Sequence, residues 1–254
     1  MDYFFIAISA LLGLIIGSFL NCLVWRIYKE ESMLGRSYCP NCSKQIAWYD
    51  NIPLLSFIIL RGRCRHCQEQ ISWQYPLVEF FTGLLFALSF LAVANEPNMP
   101  LLLARDWLLI ITFVIVFVYD FRWQLVPMLI VWPMIIVAAG ISIFLGFPWQ
   151  EVLLFGAVGT SFFLIQYFAT AKRGIGEGDI WLGLLIGVAL PEGGLLALAL
   201  ILSYFVGAIV SGILLLGHRR GWKSKIALGP FLSFGAIITL IYGREILAWY
   251  SGLF

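Results

Sequence analysis

Charge is what this sequence has least of. Only 12% of its 254 residues are Asp, Glu, Lys or Arg, against 61% hydrophobic. A soluble domain carries about 25% charged and about 45–50% apolar residues, so a soluble globular class is excluded. The mean hydropathy of +0.94 points instead to a polytopic membrane protein. A basic N-terminal stretch is also lacking. The first apolar run, 3–25, has none before it and is too long for the core of a cleavable leader, so it reads as a spanning helix. A glycine-rich nucleotide fingerprint of the Rossmann kind is absent too. A net charge of +2 calls for no nucleic-acid partner.

What is present is a series of apolar runs. A spanning helix needs roughly 20 apolar residues. Eight segments qualify: 3–25, 76–94, 102–119, 126–146, 150–170, 179–191, 194–216 and 228–250, the sixth being short. The expected fold is an all-α polytopic membrane protein of about eight transmembrane helices. Three regions follow: a first transmembrane helix (1–25), a polar loop rich in Cys, Arg, Trp and Pro (26–75), and a transmembrane core (76–254). Lys and Arg concentrate on the cytoplasmic side of membrane proteins. Along an eight-helix path, Arg26, Lys29, Arg36, Lys44, Arg61, Arg63, Arg65, Arg122, Lys172, Arg173, Arg219, Arg220, Lys223 and Lys225 share one side; only Arg105 and Arg244 fall elsewhere. That side is expected to be cytoplasmic, with both termini outside.

Cysteines are few, five in all, and four of them form two pairs in the polar loop: CPNC at 39–42 and CRHC at 64–67. Two CxxC pairs at this separation fit a tetrahedral zinc site with Cys39, Cys42, Cys64 and Cys67 as ligands. Two redox pairs are the alternative, and a reducing cytoplasm disfavours disulfides. His66 sits inside the second pair, which favours four cysteine ligands. A closed structural site would supply folding free energy to a lobe with little core. Cys22, inside the first apolar run, reads as a small packed hydrophobe.

Acids inside a membrane helix are costly, and each invites a functional reading. Asp2, Glu96, Asp106, Glu151 and Glu192 fall at outer ends or loops, and Glu245 has Arg244 beside it. Glu30, Glu31, Asp50 and Glu69 lie in the polar loop and Glu177 in a later loop, so Glu79, Asp120 and Asp179 remain, all near cytoplasmic helix ends. Asp120 lies in FVYDFRWQLVP, and Asp179 in GIGEGDIW. Two carboxylates meeting at one membrane face would share a proton. One could then activate water while the other polarises a peptide carbonyl. Glycines beside Asp179 would permit unusual backbone angles and close approach of a substrate. The plainer alternatives are that Asp179 is a helix N-cap and that Asp120 pairs with Arg122. Glu177 reads either as a solvated acid or as a weak attractor of a basic leader.

The chain resembles the prepilin peptidases, or type IV leader peptidases, membrane aspartic proteases of the GxGD type. The resemblance is carried by GSFLNCLVWR at 17–26, CPNC at 39–42, WYDNIPLLSF at 48–57, LRGRCRHC at 60–67, ISWQYPLVEFFTG at 71–83, Asp120 with Val126-Pro127, and GEGD at 176–179. It implies that Asp120 and Asp179 are the catalytic pair, with Gly176 and Gly178 as motif glycines and the four cysteines as zinc ligands. It also implies cleavage of the basic leader of type IV prepilins and type II secretion pseudopilins at the cytoplasmic face of a bacterial inner membrane. Members with the large first loop usually also N-methylate the new terminal residue, commonly Phe, with S-adenosylmethionine. The loop's presence here implies a bifunctional enzyme, the alternative being a peptidase alone. Glu79, just inside the second helix, is the candidate for contact with the methyl donor. Trp48, Tyr49 and Trp73 read as lobe core or membrane anchors rather than as a stack for adenine. The chain departs from the family at Ile27-Tyr28, where Arg-x-Pro is usual, at Met128 after Pro127, where Asp is common, and at Trp181, where Lys is common. Two rivals are a proton-coupled transporter using Asp120 and Asp179 as relays, and a zinc-stabilised assembly factor without catalysis.

Overall fold

In a bilayer the backbone must satisfy its own hydrogen bonds, and a single apolar segment can do so only as a helix. The computed structural model describes residues 2–33, 35–172, 174–216 and 227–252. Arg173, Arg219, Arg220, Lys223 and Lys225, which the charge asymmetry uses, lie outside the described residues. Each of the eight expected segments is a helix. They are α1 (Asp2–Lys29), α3 (Gln74–Val93), α4 (Met99–Trp123), α5 (Met128–Phe144), α6 (Trp149–Ala169), α7 (Glu177–Ala189), α8 (Gly193–Leu216) and α9 (Gly229–Ser251), with a short α2 (Leu55–Ile59) in the polar loop. Six are long and apolar enough to cross a membrane; α5 and α7 are shorter, at 17 and 13 residues. At about 1.5 Å per residue, α7 falls short of the roughly 30 Å hydrocarbon layer. Prolines mark several helix starts, including Pro127 before α5, Pro148 before α6 and Pro230 in the first turn of α9.

The helices fall into two compact units, one ending at Met99 and one beginning at Pro100. The first therefore includes α3, which the sequence reading grouped with 76–254. In this unit α1 and α3 lie along each other. A Cβ on Gly13 would stand 2.7 Å from the Thr82 carbonyl oxygen, and one on Gly17 would stand 2.8 Å from Glu79 Cα. Small residues thus bring two membrane helices into backbone contact, where lipid supplies no hydrophobic force of its own.

Buried polar side chains on these helices hold the loop between them. Arg26 donates to the carbonyls of Met33, Gly35 and Arg36 at 2.7, 3.0 and 3.1 Å. Asn21 donates to the Tyr75 carbonyl at 3.1 Å and accepts from Gln74 at 3.3 Å. Buried Glu79 accepts the Leu54 N–H at 2.8 Å. Leu54 has φ 61 and ψ −47, and the Leu55 N–H donates to the Pro53 carbonyl at 2.6 Å. This is a γ-turn of the rare positive-φ form, a strained geometry that needs outside support. The Glu79 carboxylate provides it.

In the second unit α6 lies along α7, α8 along α9, and α5 against α7. A Cβ on Gly159 would collide with the Gly183 carbonyl oxygen, and one on Gly187 with the Phe155 carbonyl oxygen. The short α7 is held in place by this glycine contact and by Ser142 of α5, which donates to the Val188 carbonyl at 2.8 Å. Two acids are placed differently from expectation. Asp106 is buried within α4 rather than at an exposed end, and it pairs with Arg105 at 2.8 Å. Arg244 reaches Glu192 at 3.0 Å instead of pairing with the adjacent Glu245.

Candidate active site and metal centre

Asp120 lies in the last turn of α4 and Asp179 in the first turn of α7. Both are buried, at 6% and 7% exposure, and both belong to the second compact unit. The two helix ends meet through the segment after α4. A Cβ on Gly178 would overlap Val126, and Trp132 of α5 lies on Trp181 of α7 with ring centroids 4.1 Å apart. Trp181, one of the positions where the chain departs from the family pattern it resembles, thus makes an aromatic contact.

Each carboxylate has one oxygen fixed by a backbone donor. Asp179 Oδ2 accepts the Gly176 N–H at 3.0 Å. The helix starts two residues earlier than the sequence suggested, so Gly176 is the N-cap and Asp179 occupies N3, closing half of a capping box. Asp120 Oδ2 accepts the Gly229 N–H at 2.8 Å, not an arginine; the Arg122 guanidinium lies 5.3 Å over the Trp123 ring. Gly229 is the residue that sequence reasoning missed. The Gly229-Pro230 start of α9 was legible as a helix signal, but its contact with a carboxylate 109 residues earlier was not.

Neither motif glycine has a positive φ, and only Gly178 is required by space. Gly176 has φ −77 and ψ 153, which any residue adopts. The positive φ values of the segment fall on Ala171 and Lys172, at 50 and 65. Gly178 is the one that a side chain could not replace without displacing Val126. Glu177 is exposed, and its Oε1 accepts the Tyr167 hydroxyl proton at 2.7 Å.

In the polar loop Cys39, Cys42, Cys64 and Cys67 place their sulfurs within 4.8 Å of one another. The two halves repeat the same turn. The Cys39 N–H donates to the Lys44 carbonyl and the Ser43 N–H to the Cys39 carbonyl; 25 residues on, Cys64 bonds to Glu69 and Gln68 to Cys64 in the same pattern. Ser43 and Gln68 both take positive φ, 57 and 58, and the bridges Tyr38–Gln45 and Arg63–Gln70 close each turn. A tetrahedral ion with metal–sulfur bonds of about 2.3 Å requires sulfurs about 3.8 Å apart; Cys39 and Cys67 are separated by 3.8 Å. The backbone hydrogen bond at Glu69, helped by Cys64, Asn41 and Cys42, brings the Cys67 thiol down to about 7, toward the thiolate a metal needs. The donor set therefore fits a metal ion. Arg65 forks onto Asp50 at 2.6 and 2.7 Å, tying the second turn to the rest of the loop. The guanidinium holds the Asp50 carboxyl below its ordinary value.

The other loop residues are placed plainly. Trp48 and Trp73 are 76% and 70% exposed, so they are not lobe core; Trp73 lies against Phe57 at 4.9 Å. Glu79 accepts the Leu54 N–H through Oε2 and is also hydrogen-bonded by Ser18.

Comparison with known proteins assigns the chain. The Bacterial Peptidase A24 N-terminal domain family matches residues 11–93, and the Type IV leader peptidase family matches 107–212. A prepilin leader peptidase/N-methyltransferase of Stutzerimonas stutzeri is 31% identical over 97% of this chain and 93% of its own. The chain belongs to the type IV leader peptidase family. A protein of the same description from Bacillus subtilis strain 168 is 31% identical over 96% of this chain and 97% of its own. Another, from Myxococcus xanthus strain DK1622, is 34% identical over 82% of this chain, which spans 63% of that relative. No solved structure matches. The two family matches fall one on each side of the boundary between the compact units at 99 and 100.

Proposed function

We propose that this protein is a membrane-embedded aspartic endopeptidase that removes the basic leader of type IV prepilins and type II secretion pseudopilins, and that it N-methylates the new terminal residue with S-adenosylmethionine. The observation that carries the peptidase reading is the pair of buried carboxylates, Asp120 and Asp179, each anchored through Oδ2 to a backbone N–H. Anchoring one oxygen of each leaves the other for water and substrate. The pair holds one proton between them. The ionised member takes a proton from water, whose oxygen attacks the scissile carbonyl carbon. The protonated member donates a hydrogen bond to the carbonyl oxygen. Collapse of the tetrahedral adduct breaks the C–N bond, and a proton passes to the leaving amine.

The reaction is placed at the cytoplasmic face of a bacterial inner membrane, with both termini periplasmic, on the strength of the Lys and Arg asymmetry. The substrate's apolar helix stays in the bilayer and its basic leader in the cytoplasm. The four cysteines hold a structural zinc ion, which ties the two repeated turns into one lobe. The methylation reading rests on the printed names of the relatives and on the large first loop.

The test is processing of a co-expressed prepilin. Asp120→Asn and Asp179→Asn should each abolish cleavage while the protein still accumulates in the membrane. Retained cleavage by either variant sinks the dyad. Methylation is read separately, as the mass of the mature N-terminus formed by purified protein with S-adenosylmethionine. A product lacking the added methyl mass would remove that activity.

A further inference from the structure

α9 begins inside the region where Asp120 ends its helix. The first residues of a helix carry N–H groups with no acceptor of their own. In α9 those donors are distributed unequally. Pro230 has none. Phe231 and Leu232 both turn theirs onto the Leu228 carbonyl at 3.0 Å. The Gly229 N–H points instead at Asp120 Oδ2, 2.8 Å away in a buried contact. The same approach also leaves no room for a side chain. A Cβ on residue 229 would stand 2.5 Å from Asp120 Oδ2, 3.0 Å from its Cγ and 3.1 Å from its Cβ. The position uses both the amide and the missing side chain, and Asp120 fills the space. Asp179 obtains its matching donor locally, from Gly176 three residues earlier. Asp120 has no such neighbour and draws its donor from another helix, outside the 107–212 family match.

We propose that Gly229 is a positioning residue of the peptidase site. Its N–H fixes the plane of the Asp120 carboxyl group, and its lack of a side chain lets α9 approach closely enough for that bond. The proposal rests on the reading of Asp120 and Asp179 as the dyad. It makes α9 part of the catalytic assembly rather than a membrane anchor alone. The helix end adds a favourable field at the carboxylate, since its N-terminus carries partial positive charge.

The experiment uses the full-length protein in lipid nanodiscs with a synthetic prepilin, and reads kcat and KM separately. Gly229→Ala should lower kcat by about tenfold or more, because a displacement of about 1 Å at a reacting group costs up to about 10²-fold. KM should stay within about twofold, since only transition-state interactions are affected. An amide-to-ester replacement at residue 229, with glycolate in place of glycine, removes the N–H and adds no bulk. It should also lower kcat per folded molecule by about tenfold, the size expected for one charge-assisted hydrogen bond. Gly235→Ala serves as a packing control on α9, because a Cβ there collides with Ser203 and Ala199 of α8. It should lower stability and leave kcat per folded molecule unchanged. Wild-type kcat in the ester variant overturns the proposal, as does an equal loss of kcat in Gly235→Ala. Asp120→Asn is run in parallel. Turnover retained there removes the dyad reading itself, whereas an inactive Asp120→Asn beside a fully active ester variant removes only the role of Gly229.

Discussion

Gly176 and Gly178 are two residues apart, yet they meet different constraints. A Cβ on Gly176 would stand 3.4 Å from Asp179 Oδ2, an ordinary contact, while one on Gly178 would overlap Val126. Gly178→Ala is therefore predicted to disturb the junction between the end of α4 and the start of α7. Overpacking of this kind costs about 1–3 kcal/mol, and it falls on the turn that carries Asp179. Gly176→Ala is predicted to retain the fold and substantially more activity than Gly178→Ala. Prepilin processing and thermal unfolding of the two variants side by side check this. Equal damage from both would show that space is not what distinguishes them. The motif itself was legible as GEGD. The reason for its second glycine was not, because Val126 is over 50 residues away in the sequence.

At the scale of elements, the polar side chains of Arg26, Asn21 and Glu79 and a four-cysteine cluster hold the loop of the first unit together. Glu79 carries the N–H of a residue in a strained positive-φ turn. Glu79→Ala leaves that donor without its charged acceptor, a loss of about 1.5–3 kcal/mol. Cleavage of the 48–60 segment by a soluble protease should accelerate in this variant, and Glu79→Gln should restore part of the protection. If both variants resist proteolysis as the wild type does, the carboxylate is not what holds the turn. The second prediction at this scale concerns the cysteines. A structural site supplies folding free energy directly. A strong chelator, or Cys64→Ser, should open the 36–72 loop to proteolysis and remove about one zinc ion per chain, the count for a single four-cysteine site. Loop protection that survives complete removal of metal would contradict the structural role. The CxxC pairs were readable from sequence. The 25-residue repeat of turn, bridge and positive φ became visible only when hydrogen bonds were placed on it.

At the scale of the whole molecule, the composition and the apolar runs determined the class and the eight long helices, while α1 and α4 run several residues past the expected ends and the short α2 was not expected. In a bilayer the backbone allows few other outcomes, so long apolar runs translate directly into helices. Family motifs further along the chain singled out Asp120, Asp179 and the four cysteines. The tertiary structure decided what surrounds them. It attached α3 to the first unit, packed α7 on α6 through glycines, moved Arg244 onto Glu192, and brought the Gly229 amide to Asp120. The division has a physical cause. Helix formation depends on residues three and four apart, and a CxxC turn on residues within one short segment. A hydrogen bond between Gly229 and Asp120 depends on how membrane helices choose their neighbours. That choice is made by side-chain volume and polar satisfaction across the packed helices, and no local pattern records it.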